Sequence, residues 1–197
     1  AWALLRRGRA VRVFDRERGS SASRVAAGLV TPVTGKRLAK SWRWDELYPA
    51  AVAFYRGAEA ATGTRFFHQR PSVRLFADDA EREEFRSREQ GVLRGLVRPA
   101  PHVSEAFDAP LGGFEMPDAA RLDVPRYLDA SRDHFRAHGI YETAEITAPE
   151  SLDAGTVILC RGYASEPDPW FGGVRFNAAK GEVLTLRVPG LAEERVV

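Results

Sequence analysis

The chain has 197 residues, 44% of them hydrophobic and 28% charged, with a formal net charge of +2. A chain of this size buries a core without metal or disulfide staples. Its one cysteine, Cys160, excludes an internal disulfide and a multi-cysteine metal site, and suits a reducing compartment such as the cytoplasm. No apolar run approaches the length of a bilayer span, so no membrane partner is expected. Arg and Lys are interspersed with Asp and Glu rather than gathered into the basic stripe of a nucleic-acid binder. The short, interrupted segment from Lys36 to Arg43 reads as a solvated loop face.

Ala1 to Arg7 favours a helix that Gly8 closes, and Val11, Val13 and Phe14 form a β-prone run ending at Asp15. Arg16 to Ala27 is rich in Ser, Gly and Ala and predicts a loop wrapped around something; Val30 to Gly35 also reads as loop. Asp45 begins a helix that runs to about Ala61, with Leu47, Ala51, Phe54 and Ala58 at helical spacing. Arg65–Phe67 and Val73–Phe76 are short strand candidates, and Asp78 to Gln90 is a charged helix. Arg98 to Asp118, with several Pro and Gly residues, mixes strands and turns. Asp123, Pro125 and Gly139 frame a further helix, and Ile140–Ile146 holds one or two short strands. Thr156–Cys160 is a continuous apolar run, as in a strand covered on both faces, and Glu182–Leu186 reads as another strand. Ala1–Arg7 resembles the second half of a helix and Arg195–Val197 the start of a strand, so both ends read as cut within an element.

A helix, Gly8, a strand and then Asp15 form the later part of a dinucleotide-binding βαβ unit, in which a strand-end carboxylate accepts hydrogen bonds from ribose hydroxyls. Asp15 alone could equally be a surface carboxylate. The following text, from Ser20 to Arg37 (SSASRVAAGLVTPVTGKR), closely resembles the loop after the second strand in the D-amino-acid oxidase and glycine oxidase family of FAD-dependent oxidoreductases. Three more segments fit that family in order. They are Arg121–Leu128 (RLDVPRYL), like its L-D-x-x-x-L helix opening; Thr156–Gly162, like its strand ending in A-x-G, though Cys160 and Arg161 depart from the usual small residues; and Ala179–Leu184 (AKGEVL), like its K-G-x-x-L strand.

The resemblance implies an α/β fold. A discontinuous Rossmann-type FAD domain would span 1–40 and 118–170, with a mixed α+β substrate domain, 41–117 and 171–197, inserted between its pieces. It implies FAD as cofactor and oxidation of a small-molecule amine or amino acid, hydride passing to the flavin and oxygen reoxidising it. Asp15 and Arg16 would hold the adenosine, Ser21, Ser23 and Arg24 the phosphates. Ala27 and Gly28, with Ala26, would give the flavin ring room. Ile146 would contact the adenine through its backbone, and Gly162 would approach the pyrophosphate. The chain reads as an internal piece of such an enzyme, inactive alone, with its catalytic residues beyond Val197. The family also implies that Val11–Phe14 and Val157–Cys160 run parallel, flanking the lane of a strand that precedes Ala1.

Other readings stay open. An NADP-dependent Rossmann protein would use Arg16 and Arg18 on a 2′-phosphate, which Asp15 would repel. A related family activity modifies uridine in transfer RNA, and a flavin-fold binding module would lack turnover. His134 and His138 have a helical metal-binding spacing, but no third ligand is evident and solvent exposure is expected. Trp42, Trp44, Tyr48 and Tyr55 either wall a substrate pocket or, more simply, pack a core. Cys160 reads as a small apolar filler at a strand end rather than a flavin attachment point.

Overall fold

Short strands and three longer helices alternate along the chain in this computed structural model, which describes residues 1–17, 21–103, 107–162, 170, 173–175, 177, 181–184 and 187–197. In chain order the elements are α1 (Trp2–Leu5), β1 (Val13–Asp15), β2 (Leu29–Val30), β3 (Val33–Thr34), β4 (Ala39–Lys40), α2 (Trp44–Thr62), β5 (Phe67–Gln69), β6 (Ser72–Leu75), α3 (Asp79–Glu89), β7 (Arg98–Ala100), β8 (Gly113–Met116), β9 (Ala120–Leu122), α4 (Val124–Ala137) and β10 (Tyr141–Thr143).

Local chemistry explains most of the boundaries. The Asp78 side chain accepts the Glu81 N–H and starts α3, and Asp123 accepts the Arg126 N–H and starts α4, where Pro125 fits the first turn. Helix α2 carries Asp45 and Glu46 in its first turn, where carboxylates favour the positive end of the helix dipole, and stops at Gly63, whose φ of 66° suits glycine. Its first residue follows Arg43, itself in the left-handed region.

Among the described residues four small sheets result. β1 pairs with β10 in parallel, β2–β9–β5 and β6–β8–β7 are antiparallel, and β3 and β4 form a hairpin. A first hydrophobic cluster gathers Trp2, Ala58, Phe66, Phe67, Leu122 and Phe135 from α1, α2, β5, β9, α4 and the approach to β5. It therefore draws on residues from both sides of position 41 and of position 118. A second cluster packs Leu38, Phe85, Leu93, Phe114 and Met116 between α3 and the β6–β8–β7 sheet. Buried Glu59 links α2 to β5: its Oε1 accepts the N–H groups of Phe66 and Phe67, each at 2.8 Å, while Arg56 donates to its Oε2 at 2.7 Å.

The structure corrects several expectations. Thr156–Cys160 is not a strand, and Val157 and Ile158 are exposed. An apolar run becomes a buried parallel strand only where neighbours supply a ladder on its edges. Val11–Phe14 and Val157–Cys160 therefore do not run as two parallel strands flanking a lane, and β10 is the partner of β1. Residues 182–184 are likewise irregular, while 185 and 186, like Ala179 and Lys180 of the AKGEVL segment, lie outside the described residues. Val30–Gly35, expected as loop, instead contributes to β2 and β3, because Leu29 and Val30 pair with Arg121 and Ala120, and Val33 and Thr34 with Lys40 and Ala39.

Candidate functional site at the carboxyl end of the parallel pair

Because β1 and β10 are parallel, both carboxyl ends open on the same edge, with Asp15 opposite Thr143. In open α/β sheets this edge is where ligands bind. Asp15 is exposed there, and its Oδ1 accepts the Glu17 N–H at 2.7 Å. The ladder runs on as Ala144 N–H donates to the Asp15 carbonyl at 3.1 Å. Arg16 crosses to Glu145, 3.1 Å away, the residue before half-buried Ile146. Asp15 and Arg16 thus lie at one edge, with Arg16 tied to Glu145, the residue before Ile146.

Glu17 belongs to this edge, although nothing in the sequence pattern singles it out. Its carboxylate accepts a 2.8 Å hydrogen bond from the Tyr141 hydroxyl and a 2.6 Å charge-assisted one from Arg136. The Tyr141 bond, reinforced by the charges of Arg136 and Arg132 against a partial desolvation cost, holds the Glu17 carboxyl below its usual range. Burial, together with the hydrogen bond to Glu17 and the nearby Asp15 charge, pushes the Tyr141 phenol up to about 12, so it stays a donor.

The loop after β1 returns to the same side. Ser21 and Arg24 close a turn, with the Arg24 N–H donating to the Ser21 carbonyl at 3.0 Å, and the Ala26 N–H donates to the Ser23 carbonyl at 3.3 Å. The Arg24 guanidinium reaches Asp129 of α4 at 2.7 Å, and Arg132 adds a second contact to Asp129 at 3.1 Å. The Asp129 hydrogen bond favours the charged form of Arg24, with Asp15 and Glu17 adding to it from further away. Reciprocally, the Arg24 bond holds the Asp129 carboxyl down. Asp129 could not be found from spacing, since its partner lies 105 residues earlier.

Gly28 has a structural reason of its own. Its φ is +71°, and a Cβ there would lie 1.9 Å from the Leu122 carbonyl oxygen. The glycine thus lets this loop dock on β9, where Leu122 N–H donates to the Gly28 carbonyl at 2.8 Å. Gly162 also has a positive φ, but it is exposed and a Cβ there would meet nothing within 4 Å.

A cleft of about 300 Å³ is lined by Arg24 to Ala27 of the loop, Arg121 to Pro125 at the start of α4, and Val183. Two guanidinium-bearing residues, Arg24 and Arg121, line it beside the Asp123 carboxylate, and Arg24 is also paired with Asp129. Its two guanidinium groups and small lining residues are of the kind a diphosphate-bearing cofactor needs, and Asp15 is not among the residues that line it.

The remaining candidates behave structurally. His134 stacks on Trp2 with ring centroids 4.7 Å apart and is half-buried rather than exposed, and burial pushes its pKa down. His138 is exposed as expected, and no group of three or more metal-ligating side chains occurs among the described residues. Tyr55 stacks on Phe67 and meets Tyr127 edge-on, and Trp44 stacks on Tyr48, so most of the aromatic cluster packs a core. Trp42 alone stays exposed, under the Arg43 guanidinium. Cys160 is exposed, not a buried filler. Among the described residues no helix is long and apolar enough to cross a membrane.

None of the curated proteins matches the chain. Among solved structures, the crystal structure of iminodiacetate oxidase from Chelativorans sp. BNC1 is similar, with a TM-score of 0.51 and 20% identity. The similarity covers 72% of this chain and 42% of that one, so the chain spans less than half of that enzyme's length. At this identity the likeness shows the fold, a mixed α/β flavoprotein fold. The model of the FAD-dependent oxidoreductase family, DAO, matches residues 1–196, and its cofactor sets aside the NADP reading. The chain belongs to that family, and FAD is its cofactor.

Proposed function

We propose that this chain forms the cofactor-binding part of an enzyme that oxidises an amine or amino acid. The observation that carries the reading is the exposed Asp15 carboxylate at the shared carboxyl edge of β1 and β10, beside the Ser21–Gly28 loop. On this reading residues 1–40 and 118–170 form a discontinuous Rossmann-type domain, and 41–117 and 171–197 belong to a substrate domain inserted between its pieces. Asp15 accepts hydrogen bonds from the adenosine ribose, with Arg16 alongside and the Ile146 backbone at the adenine. Ser21, Ser23 and Arg24 line the phosphates, Ala27 and Gly28 leave room towards the ring, and Gly162 closes on the pyrophosphate.

Held by Asp15, Arg16, Ser21, Ser23 and Arg24, FAD would supply an acceptor for the hydride on the substrate carbon next to nitrogen and a route for the electrons to oxygen. The protein's share is to bind, orient and exclude water. The structural neighbour is named for the oxidation of iminodiacetate, an amine, which supports the substrate class. The compartment consistent with a lone thiol is the cytoplasm.

The test is the visible spectrum of the full-length protein and its peroxide output with glycine, sarcosine and D-amino acids. A flavin spectrum that bleaches on anaerobic addition of one of them, with peroxide in air, is expected. A protein that stays colourless after FAD addition overturns the cofactor site. A yellow protein that no amine or amino acid reduces overturns the substrate class and favours a non-catalytic module.

A further inference from the structure

Two carboxylates stand at the end of β1, two residues apart, and the structure gives them different tasks. Both are exposed, but the Asp15 carboxylate ends the strand while the Glu17 carboxylate is held by Tyr141 and Arg136. The two are joined by one bond, from the Glu17 backbone N–H to Asp15 Oδ1 at 2.7 Å. Glu17 itself sits at φ 51°, in the left-handed region that a residue with a Cβ disfavours. Such a conformation persists only where the surroundings hold it.

Here they do so through the Glu17 side chain. Its Oε1 takes the Tyr141 hydroxyl and Arg136 Nη2, and Arg136 also donates to Thr143 Oγ1 at 3.2 Å and lies over the Tyr141 ring, 5.0 Å from its centre. Tyr141 and Thr143 belong to the strand paired with β1, and Arg136 to α4. Two elements thus converge on one carboxylate. They also neutralise it, which matters because a bare second charge here would repel a dinucleotide's phosphates.

We propose that Glu17 is a positioning residue for FAD, holding its own backbone N–H on Asp15 so that the Asp15 carboxylate is fixed to receive the adenosine ribose. This rests on the reading of Asp15 as the ribose ligand. An exposed ion pair alone contributes little and would not require the disfavoured turn; the turn is what the anchored side chain secures.

The test is FAD titration, followed by flavin fluorescence, into the flavin-free full-length protein. The variants are Asp15→Ala, Glu17→Ala, Glu17→Gln and the Asp15→Ala/Glu17→Ala double. Glu17→Ala is expected to raise the FAD Kd by roughly tenfold. Glu17→Gln keeps an acceptor for Tyr141 and Arg136 and should bring the Kd back to within about threefold of the parent. In the Asp15→Ala background, removing Glu17 should matter less than about twofold, because the carboxylate it positions is gone. An unchanged Kd in Glu17→Ala beside a clear Asp15→Ala effect overturns this inference alone. So does a Glu17→Ala loss that persists in full when Asp15 is absent, which would mark a general structural role. An unchanged Kd in Asp15→Ala removes Asp15 from the site, and the positioning role falls with it.

Discussion

Gly28 and Leu122 approach so closely that a single added carbon on Gly28 would lie 1.9 Å from the Leu122 carbonyl oxygen, while Leu122 N–H donates back to the Gly28 carbonyl at 2.8 Å. The contact involves backbone on both sides, so no side-chain movement relieves it. The positive φ at Gly28 adds to the cost of any Cβ. Gly28→Ala is therefore expected to destabilise the protein by roughly 2–4 kcal/mol, seen as a lower midpoint in thermal or urea unfolding of the flavin-free protein. A variant with the parent's midpoint would mean that the β2–β9 contact is looser than described. Loss of flavin by a Gly28 variant consequently does not by itself place Gly28 against the ring.

Much of the framework was legible because its signals are local. Asp123, Pro125 and Gly139 mark α4 within one short stretch, and Asp78 and Gly63 mark the start of α3 and the end of α2 in the same way. The failures are non-local. Leu29–Val30 and Val33–Thr34 are too short to show a period, and they are strands only because residues 120–121 and 39–40 lie beside them. Thr156–Cys160 has the composition of a buried strand, but no pairing covers its edges. Asp15, Arg16 and the Ser21–Gly28 loop are singled out by resemblance to the family alone. Glu17, Asp129 and Tyr141 were missed because their partners lie more than a hundred residues away and exchange hydrogen bonds that leave no local pattern.

Glu59 provides a test of the core that does not involve the cofactor. It is buried, and removing its carboxylate leaves the Phe66 and Phe67 N–H groups without their acceptor. Glu59→Ala should cost about 2–4 kcal/mol of stability by urea unfolding. An effect under about 0.5 kcal/mol, the usual range for surface changes, would contradict the link between α2 and β5.

The same residue predicts a pH dependence. Burial pushes the Glu59 carboxyl up, but the N–H groups of Phe67 and Phe66 together with Arg56 outweigh it and leave the folded-state pKa below the ordinary value. A depressed carboxyl pKa gives a contribution that is complete above the unfolded value, about 4.3, and lost as pH falls through the folded value. The Tm gap between the parent and Glu59→Gln should accordingly be constant at neutral pH and narrow in the acid range below about 4.3. A gap that widens on acidification would reverse the sign of the argument.

Asp15 carries the cofactor reading most directly. Replacing it with Ala should weaken FAD binding by roughly 1–3 kcal/mol, the loss of hydrogen bonds to a charged acceptor, with little change in the unfolding midpoint because the side chain is exposed. Asp15→Asn should recover part of the loss, since an amide oxygen still accepts. Titration is the measurement, and an Asp15→Ala Kd equal to the parent's would take the residue out of the site.

Arg24 is held by Asp129 at 2.7 Å, beside the cleft where the proposed phosphates lie. Two roles can be separated through the partner. If the ion pair serves only to pin the loop on α4, Arg24→Met and Asp129→Asn should weaken FAD binding alike, because each breaks the same pair. If the guanidinium also meets the diphosphate, the two variants part. Arg24→Met then loses affinity by roughly tenfold, as expected for a charge-assisted hydrogen bond, while Asp129→Asn leaves a freed Arg24 and keeps or improves it. The pair is partly exposed and contributes little to folding, so both variants should unfold near the parent's midpoint. The proposed phosphate contact predicts divergence, with Asp129→Asn at or below the parent Kd. Its salt dependence follows: raising ionic strength should weaken FAD binding less in Arg24→Met than in the parent, because one screened attraction is already missing. Equal losses in the two variants, or identical salt slopes in Arg24→Met and the parent, would reduce Arg24 to a loop anchor.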